Sequence, residues 1–531
     1  MIGEEIRKSI DGALKVLGLE SAGFVVEHPS DLKMGDYSTN AGIKTGKAKE
    51  IFAHLDTPCP SGVERVELAG PGFINFYLSK EFFAKSLEKI IKEGKNFGKG
   101  ESMRGEIVLV EYTSPNLFKP LHVGNLVGNI SGESLSRLFE YAGADVKRLN
   151  YPSDIGLTVA KGVWGLTKME GDPSDIMVLG KAYRFGNESY ENDPKAKEEI
   201  EEVNRALYEG SNTTWNSLCD KGIETSRKHL NSICERLGTK FDKEFFESQS
   251  GPLGRELVKM YTGDVFEESE GAIVFRGEHI RVFLTSQGLP TYEAKELGLF
   301  KLKSETFPDF DTSITVTGGE QTDFFRIVFA AIKKVFPKQV DGKILKHIAN
   351  SYLRLPTGKM SSRRGNVITG EDMIEQVKER VKGNEAVAIG AIKYMILRQA
   401  IGNDIIFDIE KSVSTEGDSG VYLQYAYART NSLLAKADLS QPSPSQGEGK
   451  GEVREIERLL YRFPEVIERA GKEYAPHYIV TYLTELAGSF NNFYAHEEIL
   501  GNPYRLAITK AFNIVMKNGL TVLGIPAPER M

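Results

Sequence analysis

The sequence predicts an α/β protein whose middle part contains a doubly wound parallel sheet, with an α+β module before it and an all-α bundle after it. A short apolar strand at 107–110 enters a glycine-containing turn, a helical stretch follows at 126–142, and a second strand follows at 146–150. This order is typical of a βαβ unit with parallel strands. After about residue 385 strand-like segments stop and helical periodicity runs to the C-terminus, which predicts the bundle.

Length and composition restrict the class of protein. A chain of 531 residues is too long for one core, so several domains are expected. The net charge of −7 means that a nucleic-acid partner would have to meet local basic patches. No apolar run approaches the roughly 20 residues of a membrane helix, and the N-terminal stretch is acidic where a signal peptide is basic and then apolar. We therefore expect a cytoplasmic protein without a membrane partner.

The cysteines are few and scattered. Cys59, Cys219 and Cys234 lack the spacing of metal ligands, and the histidines form no ligand cluster in the sequence. This pattern argues against a disulfide framework and against a cysteine-rich zinc site. We predict no zinc and no structural metal.

The N-terminal module is expected to span residues 1–100. Apolar residues recur at helical spacing over 2–18, which predicts an amphipathic opening helix. Bulky apolar residues at 73–78 follow a Gly-Pro-Gly turn and predict a strand. The glycine- and lysine-rich run at 95–102 has the composition of a linker.

The α/β domain is expected to span residues 104–385. Charged, helix-prone sequence dominates 155–265 and predicts a helical insertion. Strands of the doubly wound sheet are expected to return at 272–275, 281–284 and 314–317.

The all-α domain is expected to span residues 386–531. Ser, Pro and Gly dominate its segment 440–452, which cannot bury a core and is predicted to be a disordered loop. We assign this loop no function.

The most informative segment runs from Ser114 to Asn125, Ser-Pro-Asn-Leu-Phe-Lys-Pro-Leu-His-Val-Gly-Asn. It lies between the first strand of the βαβ unit and its helix, where free N–H groups bind phosphate. Gly124 lets a phosphate approach the backbone, and His122 can donate a hydrogen bond to it. Alone, this pattern also fits an ordinary turn.

A second motif far downstream supports a functional interpretation of the first. It is a cationic loop of the kind that can hold a triphosphate, Lys359-Met360-Ser361-Ser362-Arg363. Taken separately it would be an ordinary basic loop. Together the two motifs resemble the HIGH and KMSKS signatures of class I aminoacyl-tRNA synthetases.

The segment from Glu111 through Gly124 resembles one subgroup, the arginyl-tRNA synthetase family. Three C-terminal segments, 416–429, 490–494 and 523–531, are similar to the anticodon-binding bundle of that family, so the resemblance spans nearly the whole chain. It implies a Rossmann-type catalytic domain, an N-terminal module that contacts the tRNA elbow, and a helical anticodon-binding domain. The implied substrates are L-arginine, ATP and tRNA(Arg), and the chain is expected to be a monomer.

The resemblance also implies an arginine pocket. A guanidinium is planar and permanently charged with five donors, so its pocket needs fixed carboxylate and amide oxygens. Tyr292 and Glu296 are four residues apart and share a helix face, although the same pattern fits a solvated face. The residues implied for arginine binding are Glu111, Asn116, His122, Tyr292, Glu296 and Gln321.

The resemblance also implies which residues act on ATP, which is expected to enter as its Mg²⁺ complex. One group of residues takes part in catalysis, and an overlapping group binds ATP. The catalytic set is Lys119, His122, Gly124, Asn125, Lys359 and Arg363. The binding set is His122, Gly124, Asn125, Lys359, Met360, Ser361 and Ser362. The arginine carboxylate is already ionised at neutral pH, so the reaction needs positioning and electrostatic stabilisation and no general base.

Contacts to tRNA are expected from aromatic stacking and local cations. By resemblance Phe73 and Asn75 contact the elbow, and Asn491 and Tyr494 contact the anticodon. An alternative for Phe73 and Tyr494 is the core, because both lie in apolar patterns.

Three residues depart from the pattern of the family. Asn125 stands where His is common, Glu296 where Asp is usual, and Phe324 where His is common. These departures leave open a catalytically silent tRNA-binding paralogue, although His122 and Lys359 argue against it. A class I synthetase for another amino acid is the second alternative.

Overall fold

The computed structural model describes residues 1–21, 23–55, 60–350, 352–354, 356, 369–437 and 453–531. Two predicted features lie outside the described residues: the lysine motif of Lys359, Met360, Ser361, Ser362 and Arg363, and the segment 440–452.

The N-terminal module is an antiparallel sheet covered by helices. Its strands are β1 (Val26–Glu27), β2 (Tyr37–Thr39), β3 (Val63–Ala69) and β4 (Phe73–Leu78), in the order β1-β2-β4-β3. Its helices are α1 (Ile2–Val16), α2 (Ala41–Thr45), α3 (Ala48–Leu55) and α4 (Lys80–Glu93). The apolar face of α1 is buried on the sheet, as its helical spacing predicts.

A five-stranded parallel sheet forms the centre of the molecule, which confirms the predicted fold class. Its strands are β5 (Ile107–Glu111), β6 (Asp145–Asn150), β7 (Lys243–Glu244), β11 (Thr312–Gly318) and β12 (Ile344–Asn350), in the order β12-β11-β5-β6-β7. The helices beside it are α5 (Val123–Tyr141), α11 (Tyr292–Thr306) and α12 (Thr322–Val335). The strand order reverses between β5 and β11, and ligands of open α/β sheets bind at such a point.

The region 155–265 contains the predicted helices, but it also supplies a strand to the main sheet. The helices are α6 (Leu157–Lys168), α7 (Ile176–Asn192), α8 (Pro194–Glu209), α9 (Thr213–Leu237) and α10 (Glu247–Met260). The strand β7 pairs with the edge strand β6.

Two strands predicted for the doubly wound sheet belong elsewhere. The strands β8 (Glu267–Ser269), β9 (Ala272–Arg276) and β10 (Ile280–Leu284) form a separate antiparallel sheet. Only three residues separate β9 from β10. A connection this short produces a hairpin, since parallel strands need a long crossover.

Helices dominate the chain after residue 369. They are α13 (Gly370–Arg380), α14 (Glu385–Leu397), α15 (Ile409–Ser412), α16 (Gly420–Lys436), α17 (Glu455–Leu460), α18 (Phe463–Glu473), α19 (His477–His496) and α20 (Pro503–Val522). A short parallel pair, β13 (Leu353–Arg354) with β14 (Ile405–Ile406), shows that strands do not end completely at residue 385. Short 3₁₀ turns lie at Leu32–Met34, Gly94–Asn96 and Gly319–Gln321.

Within the described ranges, none of the helices has both the length and the apolar character needed to cross a bilayer. The same part of the chain brings together no group of three or more His, Cys, Asp or Glu side chains that could hold a metal ion.

Candidate active site

The turn between β5 and α5 is closed by a reciprocal cap. His122 Nδ1 accepts a hydrogen bond from the Asn125 backbone N–H at 3.3 Å, and Asn125 Oδ1 accepts one from the His122 N–H at 3.2 Å. Asn125 Nδ2 also donates to the Thr113 carbonyl at 3.3 Å. The Asn125 amide, predicted to contact phosphate, thus fixes the turn in this structure.

The backbone of this turn is strained. Thr113, Ser114 and Phe118 have φ angles of 75°, 36° and 68°, in a region that residues other than glycine rarely adopt. Ser226 Oγ accepts a hydrogen bond from the Phe118 N–H at 2.9 Å, and the Phe118 ring is fully buried. Such strain costs of order 1–3 kcal/mol per residue and persists only where the surroundings impose it. The packing under Phe118 therefore positions the turn before any ligand binds.

His122 is neutral at physiological pH. Loss of water on the protein side of the ring, and next the charge of Lys119, lower its pKa to about 4, although the residue remains open to the cavity. Because Nδ1 accepts a hydrogen bond, we assign the proton to Nε2. The ring therefore offers a neutral donor toward the cavity.

A cavity of about 730 Å³ opens at the carboxyl ends of β5, β11 and β12, a volume within the usual range for small-molecule sites. Most of the predicted arginine and phosphate residues line it: Glu111, Asn116, His122, Gly124, Asn125, Tyr292, Glu296 and Gln321. Lys119 is not among the lining residues, and its Nζ lies 5.1 Å from the centre of the Tyr183 ring. Burial lowers the pKa of Lys119.

One wall of the cavity is a face of α11. Tyr292 is 55% exposed at the start of the helix, and Glu296 lies one turn further on. Burial, and next the charge of Glu111, raise the pKa of Glu296 to about 8. Glu111, at the end of β5, forms an ion pair with Lys303 of α11.

A second buried ion pair joins Glu247 of α10 to Lys295 of α11. Glu247 also lines the cavity, as do Arg281, Glu320 and Asn350. None of these residues was predicted from the sequence. Lys303 was missed as well, although its position seven residues after Glu296 places both on one helix face.

Helices α10 and α11 pack at unusually close range through two glycines. A Cβ at Gly254 would lie 1.8 Å from the Ala294 carbonyl oxygen, and one at Gly298 would lie 1.9 Å from the Ser250 carbonyl oxygen. Neither position has room for a side chain. This contact holds α11 at a fixed distance from its neighbour.

The predicted elbow contacts lie in different environments. Phe73 is 36% exposed on β4, whereas Asn75 is 3% exposed and its Oδ1 accepts a hydrogen bond from Ser38 Oγ at 2.8 Å. Residues two apart on a strand lie on the same face of the sheet, so Phe73 and Asn75 share a face. The paired strand β2 nevertheless covers Asn75. The Asn75 amide is buried in this structure, and its contact to the tRNA elbow stays a prediction.

The predicted anticodon contacts lie together on the bundle. Tyr494 is 40% exposed, and the Arg429 guanidinium lies 4.9 Å from the centre of its ring. Asn491 Oδ1 accepts a hydrogen bond from Arg429 at 3.0 Å, and its Nδ2 donates to the Tyr422 hydroxyl at 2.8 Å. Tyr494 is thus partly exposed, with the Arg429 cation over its ring.

The parallel sheet, the His-x-Gly-Asn turn at the end of its middle strand and the cavity at the point of strand reversal define the catalytic domain of a class I aminoacyl-tRNA synthetase. Comparisons with known proteins agree. Residues 86–385 match the family described as "tRNA synthetases class I (R), catalytic domain", residues 4–78 match "Arginyl tRNA synthetase N terminal domain", and residues 423–531 match "DALR anticodon binding domain".

Individual relatives cover the whole chain. The Streptococcus mutans protein "Arginine--tRNA ligase" is 31% identical over 99% of this chain and 99% of its own length. The solved structure of the Thermus thermophilus arginyl-tRNA synthetase superposes with a TM-score of 0.81 at 25% identity and covers 100% of both chains. The Plasmodium falciparum arginyl-tRNA synthetase, at 21% identity and a TM-score of 0.79, shares the fold. The chain belongs to the arginyl-tRNA synthetase family.

Proposed function

We propose that this chain is an arginine–tRNA ligase that activates L-arginine with ATP and transfers it to the 3′-terminal adenosine of tRNA(Arg). The observation that carries the proposal is the shared cavity: Glu111 and Glu296 line the same space as the His122 turn. Carboxylates suit a guanidinium, and a turn that leads into a helix N-terminus suits a phosphate.

In the first step an arginine carboxylate oxygen attacks the α-phosphorus of ATP. The new bond is the P–O bond of arginyl-adenylate, and the bond that breaks releases pyrophosphate. His122 donates its Nε2 proton as a hydrogen bond to a phosphate oxygen, and Gly124 leaves space for the phosphates. Lys119 adds positive charge nearby, and Lys359 with Arg363 is assigned the leaving pyrophosphate by resemblance, with Mg²⁺ entering on ATP.

In the second step a ribose hydroxyl of the terminal adenosine attacks the arginyl carbonyl carbon, and AMP leaves. We assign tRNA elbow contacts to the module at 1–100 through Phe73, catalysis to 104–385, and anticodon contacts to 386–531 through Tyr494 and Asn491. The partly exposed ring of Tyr494 and the Arg429 cation against it support that assignment. The proposal includes a monomeric enzyme acting in the cytoplasm without a zinc requirement.

The first test is charging of transcribed tRNA(Arg) with radiolabelled arginine, ATP and Mg²⁺, with lysine and glutamine as controls. Charging by arginine alone is expected. Charging by another amino acid would favour a class I synthetase of different specificity. Tight tRNA binding without any charging would favour the silent paralogue, with Asn125 and Glu296 as its explanation.

A second test separates chemistry from RNA binding. Lys359→Ala is expected to lower aminoacylation by roughly two orders of magnitude or more, because it removes transition-state charge stabilisation, while tRNA affinity barely changes. Equal loss of both would contradict the role of Lys359.

A further inference from the structure

Helix α11 presents three polar side chains on one face: Tyr292, Glu296 and Lys303. Their spacings of four and seven residues place them within a narrow stripe of the helix. Lys303 is 5% exposed, and its ammonium pairs with Glu111, which is 2% exposed at the end of β5. Apart from the Lys303 ammonium, no hydrogen-bond donor among the described residues reaches the Glu111 oxygen that faces Lys303, so this ammonium compensates its charge.

The buried charges of the pocket can be counted. Of the carboxylates that line the cavity, Glu111 and Glu247 are buried and Glu296 is half-buried, and Lys303 and Lys295 are the buried ammoniums. Glu320 and Arg281 also line the cavity, but their side chains are open to solvent, which screens their charges. Lys295 pairs with Glu247 and Lys303 pairs with Glu111. Glu296 has no ion-pair partner within the described part of the chain. One carboxylate is thus left for a cation that enters the cavity.

We propose that Lys303 is a positioning residue that sets the charge balance of the amino-acid pocket: it neutralises Glu111, so that Glu296 alone remains to be matched by a side chain with one positive charge. The inference rests on the proposed function, because it takes the guanidinium of arginine as that cation. Lys303 acts through Glu111 and does not touch the substrate.

The physical reason is the cost of burying like charges. Two carboxylates close together in a site with little water do not ionise together, so one of them retains a proton. Glu296 already holds a proton in the empty pocket near neutral pH, because burial, and next the nearby charge of Glu111, raise its pKa. Without Lys303 the Glu111 charge would be uncompensated, so this proton would be held more tightly and arginine would displace it at greater cost. The carboxylate of Glu111 would also lose the cation that orients it.

The test compares Lys303→Met with Lys303→Arg, which keeps the charge, and with Lys301→Met. Lys301 lies on the same helix and pairs with Glu305 on the outer surface, so it controls for changes to α11 itself. Aminoacylation at saturating tRNA and ATP gives KM and kcat for arginine. Citrulline is nearly isosteric with arginine, but its side chain is neutral. Its inhibition constant therefore measures binding to the pocket without the contribution of the positive charge.

For Lys303→Met we expect an arginine KM raised roughly tenfold or more, with kcat and the citrulline inhibition constant within about threefold of wild type. Lys303→Arg should restore the KM to within about threefold, and Lys301→Met should leave it within about twofold. Equal changes for arginine and citrulline would show a merely structural role and overturn the inference, as would an unchanged KM in Lys303→Met.

A double-mutant cycle with Glu111→Gln tests the route through Glu111. If Lys303 acts by neutralising this carboxylate, Lys303→Met should change the arginine KM by no more than about twofold when Glu111 is already neutral. A tenfold effect in both backgrounds would overturn the inference. Wild-type protein that charges another amino acid would overturn the proposed function together with this inference, whereas arginine charging with an unaffected Lys303→Met variant would overturn the inference alone.

Discussion

Arg458 of α17 forms an ion pair with Asp36, a fully buried carboxylate of the N-terminal module. Beside this pair Glu465 of α18 accepts a hydrogen bond from the Tyr37 hydroxyl at 2.5 Å and lies 3.0 Å from His28 Nε2. The N-terminal module therefore docks on the helical bundle through charged and polar side chains. This contact fixes the distance between the two surfaces that we assign to tRNA.

Arg458→Met should destabilise the docking of the module. It leaves the Asp36 carboxylate buried without its cation, which typically costs about 3–5 kcal/mol. The urea midpoint of the transition that unfolds the module should fall accordingly. Arg469→Met removes an exposed pair with Glu473 and is expected to cost less than about 1 kcal/mol. Similar small shifts for both variants would contradict the importance of the Asp36 pair.

Glu296→Gln should weaken arginine binding while the protein stays folded. A charged hydrogen bond in a site with little water contributes roughly 1.5–3 kcal/mol, which corresponds to a KM for arginine raised roughly 10- to 100-fold. Steady-state aminoacylation measures the change. Glu305→Gln, an exposed position further along α11, is the control and should leave the KM unchanged. A wild-type KM in Glu296→Gln would remove Glu296 from the pocket.

Arginine binding should release a proton below pH 8. The pKa of Glu296 is raised to about 8 in the empty pocket, so the carboxyl is protonated at pH 7, and a bound guanidinium favours its ionised form. Arginine affinity should therefore rise with pH, by up to about tenfold per unit, until about pH 8 and then level off. Calorimetry at pH 7 in two buffers of different ionisation enthalpy should detect release of up to about one proton.

The same raised pKa has a consequence for stability. Between pH 4.5 and about 8 the unfolded chain has lost the Glu296 proton that the folded protein still holds, so the contribution of this group to stability falls as pH rises through that window. Glu296→Gln should abolish both this slope and the proton release. Proton release that persists in the variant would assign it to another group.

Gly254→Ala should disturb the pocket from a distance. The added methyl would meet the Ala294 carbonyl, so α10 and α11 must separate, at a cost of typically 1–3 kcal/mol. We expect a lower Tm and a higher KM for arginine. Gly12→Ala is the matched control, because this helical glycine has open space around it and alanine should stabilise by about 0.5–1 kcal/mol. A Tm increase in both variants would show that the helices adjust freely.

Local patterns in the sequence predicted the local elements well. The strand expected at 73–78 is β4, and the βαβ unit around the His122 turn is β5, α5 and β6, because these elements follow directly from the spacing of apolar residues. The pairing of strands did not follow in the same way. The segments at 272–275 and 281–284 are strands, as expected, but their pattern of apolar residues does not indicate which sheet they join.

The sequence predicted the cavity residues that belong to a recognisable motif. Glu111, His122 and Tyr292 were expected and all line the cavity. Lys303 was not, because a lysine in the last turn of a helix usually faces solvent and favours the helix dipole. The burial of Asn75 was also missed, since burial depends on the strand β2 that packs beside it, far away in the sequence.

The glycine contact between α10 and α11 also limits how the pocket can be altered. Because the backbones of α10 and α11 already touch at these two glycines, the wall that carries Glu296 cannot move closer to α10. A change of specificity that preserves this contact must come from side chains of different length. The glutamate at 296 is one methylene longer than the aspartate that the family resemblance leads us to expect there, which is a difference of this kind.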